Sequence, residues 1–248
     1  MNIVTVTIVT DPYFYLVAVP AVLIFGIGKG GLGGALGVVA VPMMSLSLPV
    51  QQAAAILLPI LLLMDAFAVK HHYRFADLTI LKQMLVPAGF GVLLAGLFIQ
   101  GSGNRAMELL LGIISLAFVT FYAMHWLPET KPGRLSAAIW SLLSGFTSTT
   151  IHSGGAPASI YLLPLKLDKR QLIATMAVFF AAVNAMKLVP YASLGLLDVE
   201  NILTSLILMP LAPLGVKLGI VLLDIASEKW VYRLCFGFLF VSGIYMVC

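Results

Sequence analysis

Long apolar runs dominate the pattern of hydrophobic and polar positions from Tyr13 to the C-terminus. Many of these runs approach the roughly 20 residues that a helix needs to cross the hydrocarbon core of a bilayer. The alternation of a membrane β-barrel is absent, so the backbone has to satisfy its hydrogen bonds within helices. The pattern predicts an all-α, polytopic membrane helix bundle. Divided at charges, prolines and glycine clusters, it gives about ten helical segments, which begin near residues 13, 33, 52, 83, 106, 137, 154, 172, 201 and 230.

Two breaks rich in glycine or serine interrupt this series. The first, over residues 26–34, separates two short segments predicted at residues 13–28 and 33–47. The second, over residues 148–155, joins the sixth and seventh segments. Interrupted helices at corresponding places in two halves are common in transporter folds, so the breaks suggest an internal repeat.

The two halves can be aligned in order. An offset of 119 residues pairs Gly26 with Gly145, Gln52 with Gln171, Asp65 with Asn184, and Ala66 with Ala185. After the loop near residues 70–77 an offset of 123 pairs Asp77 with Glu200, Pro87 with Pro210, Gly96 with Gly219, and Tyr122 with Tyr245. We therefore expect a first membrane repeat at residues 1–125, a cytoplasmic connecting loop at 126–136 and a second repeat at 137–248. Each repeat should hold about five segments, the first two of them short and meeting at the break.

Loop charges predict that the second repeat is inverted. Basic residues mark the loops expected in the cytoplasm: Lys70, His71, His72, Arg74 and Lys82, then Lys131 and Arg134, then Lys166, Lys169 and Arg170. The counterpart of the first of these loops carries Asp198 and Glu200 without Lys or Arg and is expected outside. The pattern leaves open whether the short pairs cross fully, giving ten spans, or re-enter, giving eight.

Composition supports a lipid environment. Hydrophobic residues make up 61% and charged residues 10% of the chain, against about 25% charged in soluble domains. No basic cluster is dense enough for nucleic acid, and the net charge of +4 reflects orientation. Cys235 and Cys248 are too few for a disulfide framework or a cysteine-rich metal site, and neither a metal nor a cofactor is expected. The first ten residues lack a signal-peptide pattern, so the first helix should be retained.

Two breaks, each followed by a helix that begins with glutamine, resemble the sulfite exporter TauE/SafE family, also called the toluene sulfonate uptake family. The resemblance rests on residues 26–31, Val41-Pro42 and Gln51-Gln52-Ala53, and on residues 147–157. It implies a bacterial inner-membrane, multi-pass carrier of small sulfur-containing or organic anions such as sulfite, sulfoacetate, thiosulfate or sulfonates. The second break carries less glycine than in many members, so the resemblance does not define the exact substrate.

The first break is a candidate anion site. A helix broken at membrane depth exposes backbone groups that only protein or a watery cavity can cover. The next helix would point N–H groups and a positive dipole end at the anion, and Lys29 would add a full charge. The glycines that allow close approach are Gly30, Gly31, Gly33 and Gly34. Alternatively, the glycines serve helix packing and Lys29 snorkels to an interface; an ionisable residue amid glycines favours the site.

The second break offers hydroxyl donors suited to sulfonyl oxygens. The candidates are Ser148, Thr149 and Ser153, with Thr150 and Gly154 beside them. His152 lies four residues after Ser148, on the same helical face, and could donate to the anion or carry a coupling proton near neutral pH. Alternatively, the hydroxyls bond back to their own helix and His152 bonds a carbonyl.

Polar residues in the third segment of each half complete the candidate set. Gln52 and Gln171 open these segments and either cap them or contact substrate. Asp65 and Asn184 lie deeper, where Asp65 could pair with a lysine or take a proton. Lys187 shares a face with Asn184 and contacts substrate or snorkels to the surface.

A secondary carrier working by alternating access is the favoured function. No G-x-x-x-x-G-K-[ST] motif occurs, so a proton gradient or the substrate's own gradient should supply the energy. The alternatives are an anion channel or, less favoured, an intramembrane enzyme, because H-E-x-x-H and G-x-S-x-G are missing. The expected partners are a small anion, membrane lipid, a coupling proton and, as an open alternative to a monomer, a second copy of the chain in a homodimer.

Overall fold

The computed structural model describes residues 8–31, 35–124, 132–225 and 228–248. In these ranges the chain is all-helical, with eleven α-helices. They are α1 (Pro12–Gly31), α2 (Ala40–Met44), α3 (Val50–His72), α4 (Leu78–Gly101), α5 (Asn104–Ala123), α6 (Arg134–Ile151), α7 (Gly155–Leu162), α8 (Lys169–Ser193), α9 (Val199–Leu208), α10 (Leu211–Ile225) and α11 (Glu228–Val247). Short 3₁₀ turns occupy Ala35–Val39, Tyr73–Phe75 and Leu163–Leu165. The predicted all-α class is confirmed.

Five of these helices are long and apolar enough to cross a membrane, and six if the bent pair α9 and α10 forms one span. The five are α1, α3, α4, α5 and α8. Two shorter apolar helical stretches, Gly155–Leu165 and Gly237–Val247, accompany them. The chain is therefore a multi-pass membrane protein, and the five or six spans found in the described residues differ from the eight or ten that the sequence pattern left open.

The first break begins later in the chain than the sequence pattern predicted. Helix α1 does not end at Gly28 but continues through Lys29 to Gly31, which makes it a full 20-residue helix rather than a short one. The next segment, predicted as one helix over residues 33–47, is a 3₁₀ turn followed by the five-residue α2. Gly33 and Gly34, which belong to the predicted break, lie outside the described residues, as does Lys131 of the connecting loop.

Helix α1 continues without a break through its glycines, which pack against another helix. A Cβ on Gly26 would collide with the Gly215 backbone in α10, and one on Gly30 would collide with the backbone near Val216. On the other side, Gly219 touches the backbone of Ile27. Small residues allow such close contact between membrane helices, so these glycines create an interface and do not end α1. Helices α1 and α10 run parallel through this contact.

A second close pair, α4 and α6, is built in the same manner. A Cβ on Gly145 would collide with the backbone of Ala88, and one on Gly91 with the backbone of Leu142. Helices α5 and α11 form a third extensive contact, in which Gly112 approaches Gly243. Helices α3 and α8 contact members of these pairs, α3 through α5 and α10, and α8 through α4.

Helices α3 and α8 are antiparallel and cross at the centre of the bundle. Asn184 Nδ2 donates to Asp65 Oδ2 at 2.5 Å at the crossing, and the backbone N–H of Asp77, just past α3, donates to Thr175 Oγ1 at 3.0 Å. Two of the basic segments meet at this end, where the Arg170 guanidinium lies 5.9 Å from the centre of the Phe75 ring. The two segments expected in the cytoplasm are thus neighbours in the fold.

The fourth segment of the second half bends where the sequence pattern predicted a single helix. Helix α9 ends at Leu208 and α10 begins at Leu211, with a 44° bend between them. Pro210 lies at the junction, and its ring and missing N–H disfavour a continuous helix. Pro87 does not divide α4, so a membrane-helix proline permits a bend without requiring one.

Candidate functional site

A cavity inside the bundle brings together side chains from α1, α3, α6 and α8. The space between its lining atoms amounts to about 520 Å³, including space that is open to solvent. Six polar residues contribute to its wall: Lys29, Asp65, Ser148, His152, Asn184 and Lys187. Apolar residues form much of the rest, among them Phe25, Leu61, Met176 and Phe180. A concave, mostly apolar site with a few convergent polar groups is the usual form of a small-molecule site.

Lys29 reaches the cavity from the last turn of α1. Its ammonium group forms an ion pair with Asp65 on α3, and both side chains are less than a tenth exposed. A lysine at the C-terminal end of a helix is stabilised by the negative end of the helix dipole. Lys29 is therefore stabilised by Asp65 and by the C-terminal end of α1. The sequence pattern instead predicted a helix N-terminus beside it.

Lys187 is fully enclosed, with no exposed surface. Its ammonium group donates to Asn184 Oδ1 at 2.7 Å and to His152 Nδ1 at 2.9 Å, and both acceptors are uncharged groups. The side chain does not reach the surface, so the snorkelling alternative is wrong for this structure. A buried charge without a carboxylate partner is costly, and in membrane proteins such groups mark solute and ion pathways.

His152 is held in one tautomer by its two neighbours. Its Nε2 lies 2.8 Å from the carbonyl oxygen of Ala54, which can only accept, so Nε2 carries the proton. Its Nδ1 must then be the lone pair that accepts from Lys187. The ring is neutral in this arrangement. His152 also has a left-handed backbone, with φ of 53°, which is uncommon for a residue other than glycine and recurs at functional sites.

The hydroxyls of the second break divide into two groups. Thr149 Oγ1 donates to the carbonyl of Gly145 at 2.8 Å, and Thr150 Oγ1 donates to that of Phe146 at 3.0 Å, so both bond back to their own helix. Ser148 faces the cavity, and its hydroxyl makes no hydrogen bond among the described residues. Ser153 is buried with its hydroxyl unpartnered in the same part of the structure, but it does not line the cavity.

The other predicted residues lie away from the cavity wall. Gln171 Nε2 donates to Asp77 Oδ2 at 3.2 Å at the basic end of the bundle, and Gln52 makes no side-chain hydrogen bond among the described residues. Gly30 packs on α10, and Gly31 ends α1. Gly154 fits tightly against Ser144, whose hydroxyl donates to the Gly154 carbonyl at 2.7 Å.

Several cavity residues carried no sequence signal. The apolar walls belong to runs whose members look alike, so nothing distinguishes Phe25 or Met176 from a lipid-facing neighbour. The contact between Asp65 and Asn184 did have a signal, since the offset of 119 residues in the predicted alignment pairs these two residues.

The described residues thus form a multi-pass membrane helix bundle with a charged cavity inside it. The sequence model of the sulfite exporter TauE/SafE family matches residues 18–246, and the chain belongs to that family. Members are membrane transporters, which fits a protein that is not an enzyme. No curated protein and no solved structure matches the chain.

Proposed function

We propose that the protein is a secondary carrier of small sulfur oxyanions and that the anion binds in the central cavity beside Lys187. The observation that carries this proposal is the charge balance of the cavity. Among the described residues that line the cavity, the charged groups are the ammonium groups of Lys29 and Lys187 and the carboxylate of Asp65. With both lysines protonated, these side chains would carry one surplus positive charge inside the bundle, and an anion would neutralise it.

The cavity supplies donors suited to a sulfur oxyanion. Lys187 has three N–H donors, and two of them are used by Asn184 and His152. The third, together with the unpartnered hydroxyl of Ser148, can bind oxygen atoms of the anion. Helix α7 begins at Gly155 on the cavity wall and adds the positive end of a helix dipole. The apolar walls exclude water, which strengthens each of these contacts.

Alternating access would use two inverted repeats that rock about this site. The contacts between helices support the proposal, because α1 packs on α10 as its counterpart α6 packs on α4. The self-equivalent pairs, α3 with α8 and α5 with α11, also touch. Asp65 and Asn184 meet at the offset of 119 residues that aligns the halves. The basic end of the bundle would face the cytoplasm of a bacterial inner membrane.

Asp65 is the better of the two candidates for the coupling proton. It bonds the ammonium of Lys29 on one oxygen and the amide of Asn184 on the other, so protonation would rearrange both contacts. His152 is less suited in this conformation because a second ring proton would point at the Lys187 ammonium. We assign His152 the role of orienting Lys187.

Purified protein in liposomes tests the proposed function. Sulfite, thiosulfate, sulfoacetate, taurine and a set of carboxylates are offered with and without a pH gradient. A carrier gives saturable uptake of at least one sulfur oxyanion and counterflow when the vesicles are preloaded. Continuous conductance without counterflow would instead identify a channel, and chemical conversion of the anion would identify an enzyme.

A further inference from the structure

The two halves of the protein contribute unequally to the cavity. The offset of 119 residues makes Lys29 the counterpart of Ser148, Asp65 of Asn184, and Lys187 of Ala68, and all six residues line the cavity. At each of these three places one half has a charged side chain and the other an uncharged one. The first half thus supplies an ion pair, and the second supplies a single cation.

The two cations also differ in their partners. Lys29 is paired with the carboxylate of Asp65, so its charge is neutralised within the protein. Lys187 is held by two neutral acceptors, the amide oxygen of Asn184 and the Nδ1 lone pair of His152. Because the carbonyl of Ala54 fixes the proton on Nε2, His152 cannot act as a counter-ion.

We propose that Lys187, when protonated, is the counter-charge for a monoanion and that Lys29 is a second one, released only when Asp65 takes up a proton. This inference rests on the proposed function. With Asp65 ionised the cavity has one surplus positive charge and accepts a monoanion. With Asp65 protonated it has two and accepts a dianion. A divalent substrate is therefore transported together with one proton, and a monovalent substrate without one. In both cases one net negative charge crosses the membrane.

All the polar groups that face Asp65 agree with this assignment. Lys29 contacts it from α1, Asn184 contacts it from α8, and Lys187 and His152 complete the same hydrogen-bonded chain. Asp65 is the one carboxylate of this hydrogen-bonded cluster among the described residues, so its protonation is the change that frees Lys29 from the ion pair. A desolvated dianion opposite a single surplus charge would remain half unpaired, which the low dielectric of the interior penalises.

The test compares two anions of fixed valence in proteoliposomes. Thiosulfate stays divalent and methanesulfonate stays monovalent across the neutral pH range. Uptake, internal pH and the reversal potential are recorded together. In the wild-type protein we expect one proton to enter with each thiosulfate, none with methanesulfonate, and one negative charge to move with either. Thiosulfate uptake without proton movement in the wild-type protein would overturn the inference.

The Asp65→Asn variant should separate substrate movement from proton movement. The amide is isosteric and fixes the site at two surplus charges, so thiosulfate should enter without a proton and carry two negative charges. A proton that still accompanies thiosulfate in this variant would show that Asp65 is not the proton carrier, and the inference would fail.

A double variant, Lys29→Gln with Asp65→Asn, removes the ion pair and does not leave a lone charge. Only Lys187 remains, so the ratio of thiosulfate to methanesulfonate uptake should fall about tenfold or more below that of the wild type, whatever the absolute rates. A ratio like that of the wild type would contradict the inference. If the wild-type protein transports no anion at all, the proposed function itself fails, whereas thiosulfate transport with a different proton count removes only this inference.

Discussion

At the scale of single residues, the side chains of the cavity form one hydrogen-bonded chain. It runs from Lys29 through Asp65 and Asn184 to Lys187 and His152, and it crosses between the two halves at Asp65 and Asn184. Each member satisfies the next, which is what a polar cluster inside a membrane bundle requires. Lys187 is the cation of this cluster that has no carboxylate partner, so an anion site can form around it.

Substitutions at neighbouring hydroxyls distinguish a cavity contact from a helix contact. Ser148→Ala removes a free hydroxyl from the cavity, so we expect the affinity for the transported anion to fall about two- to tenfold, as for the loss of one neutral hydrogen bond. Thr149→Val is the matched control because its hydroxyl bonds its own helix. Concentration dependence of uptake in proteoliposomes measures both. Equal affinity in the wild type and Ser148→Ala would remove Ser148 from the site.

At the scale of elements, glycine serves two different roles that the sequence alone does not separate. The cluster around Gly26 and Gly30 indicated a broken helix, yet these residues are packing contacts within a continuous α1. The serine-containing break after α6 is a real interruption, with His152 in the left-handed region and α7 starting at Gly155. A glycine is compatible with either outcome, and only the presence or absence of a partner helix decides between them.

The packing role of Gly145 can be tested against a glycine that packs on nothing. Gly145→Ala places a Cβ against the backbone of Ala88, so we expect the variant to be destabilised by about 1–3 kcal/mol, as for other overpacked cores. Gly101→Ala is the control, since a Cβ there meets no atom within 4 Å. Thermal unfolding of the purified protein in detergent compares them. A melting temperature for Gly145→Ala at or above that of Gly101→Ala would contradict the close α4 and α6 contact.

At the scale of the whole molecule, the sequence was informative about helices and much less so about their partners. Long apolar runs define where helices exist, because a bilayer imposes both length and hydrophobicity. Most predicted segment starts lie within a few residues of the observed helices. Packing faces could not be predicted, because lipid-facing and buried residues in such runs are equally apolar. Charged residues within the runs could be recognised because they differ from their apolar neighbours, and Lys29, Asp65 and Lys187 all lie at the cavity.

The inverted arrangement predicts opposite sides for equivalent loops. In a background with Cys235 and Cys248 replaced by Ser, one cysteine is introduced at Arg74 and, separately, at Val199, both exposed positions. A membrane-impermeant maleimide added to intact cells should label Val199→Cys and not Arg74→Cys, because the proposed orientation places the basic loop in the cytoplasm. Labelling of both after the cells are permeabilised is the control. Labelling of Arg74→Cys in intact cells would reverse the orientation, and equal labelling of both would refute the inversion.

The central claim is that an anion is carried through the cavity beside Lys187, and counterflow tests it most directly. Sulfite counterflow is measured in proteoliposomes with the wild type, Lys187→Met and the control Lys217→Met, whose lysine is exposed on α10. The account predicts that Lys187→Met loses about tenfold or more of the affinity for sulfite, because a charged hydrogen-bond donor is removed from an enclosed site, while Lys217→Met behaves as wild type. Counterflow with wild-type affinity in a folded Lys187→Met protein would contradict the account.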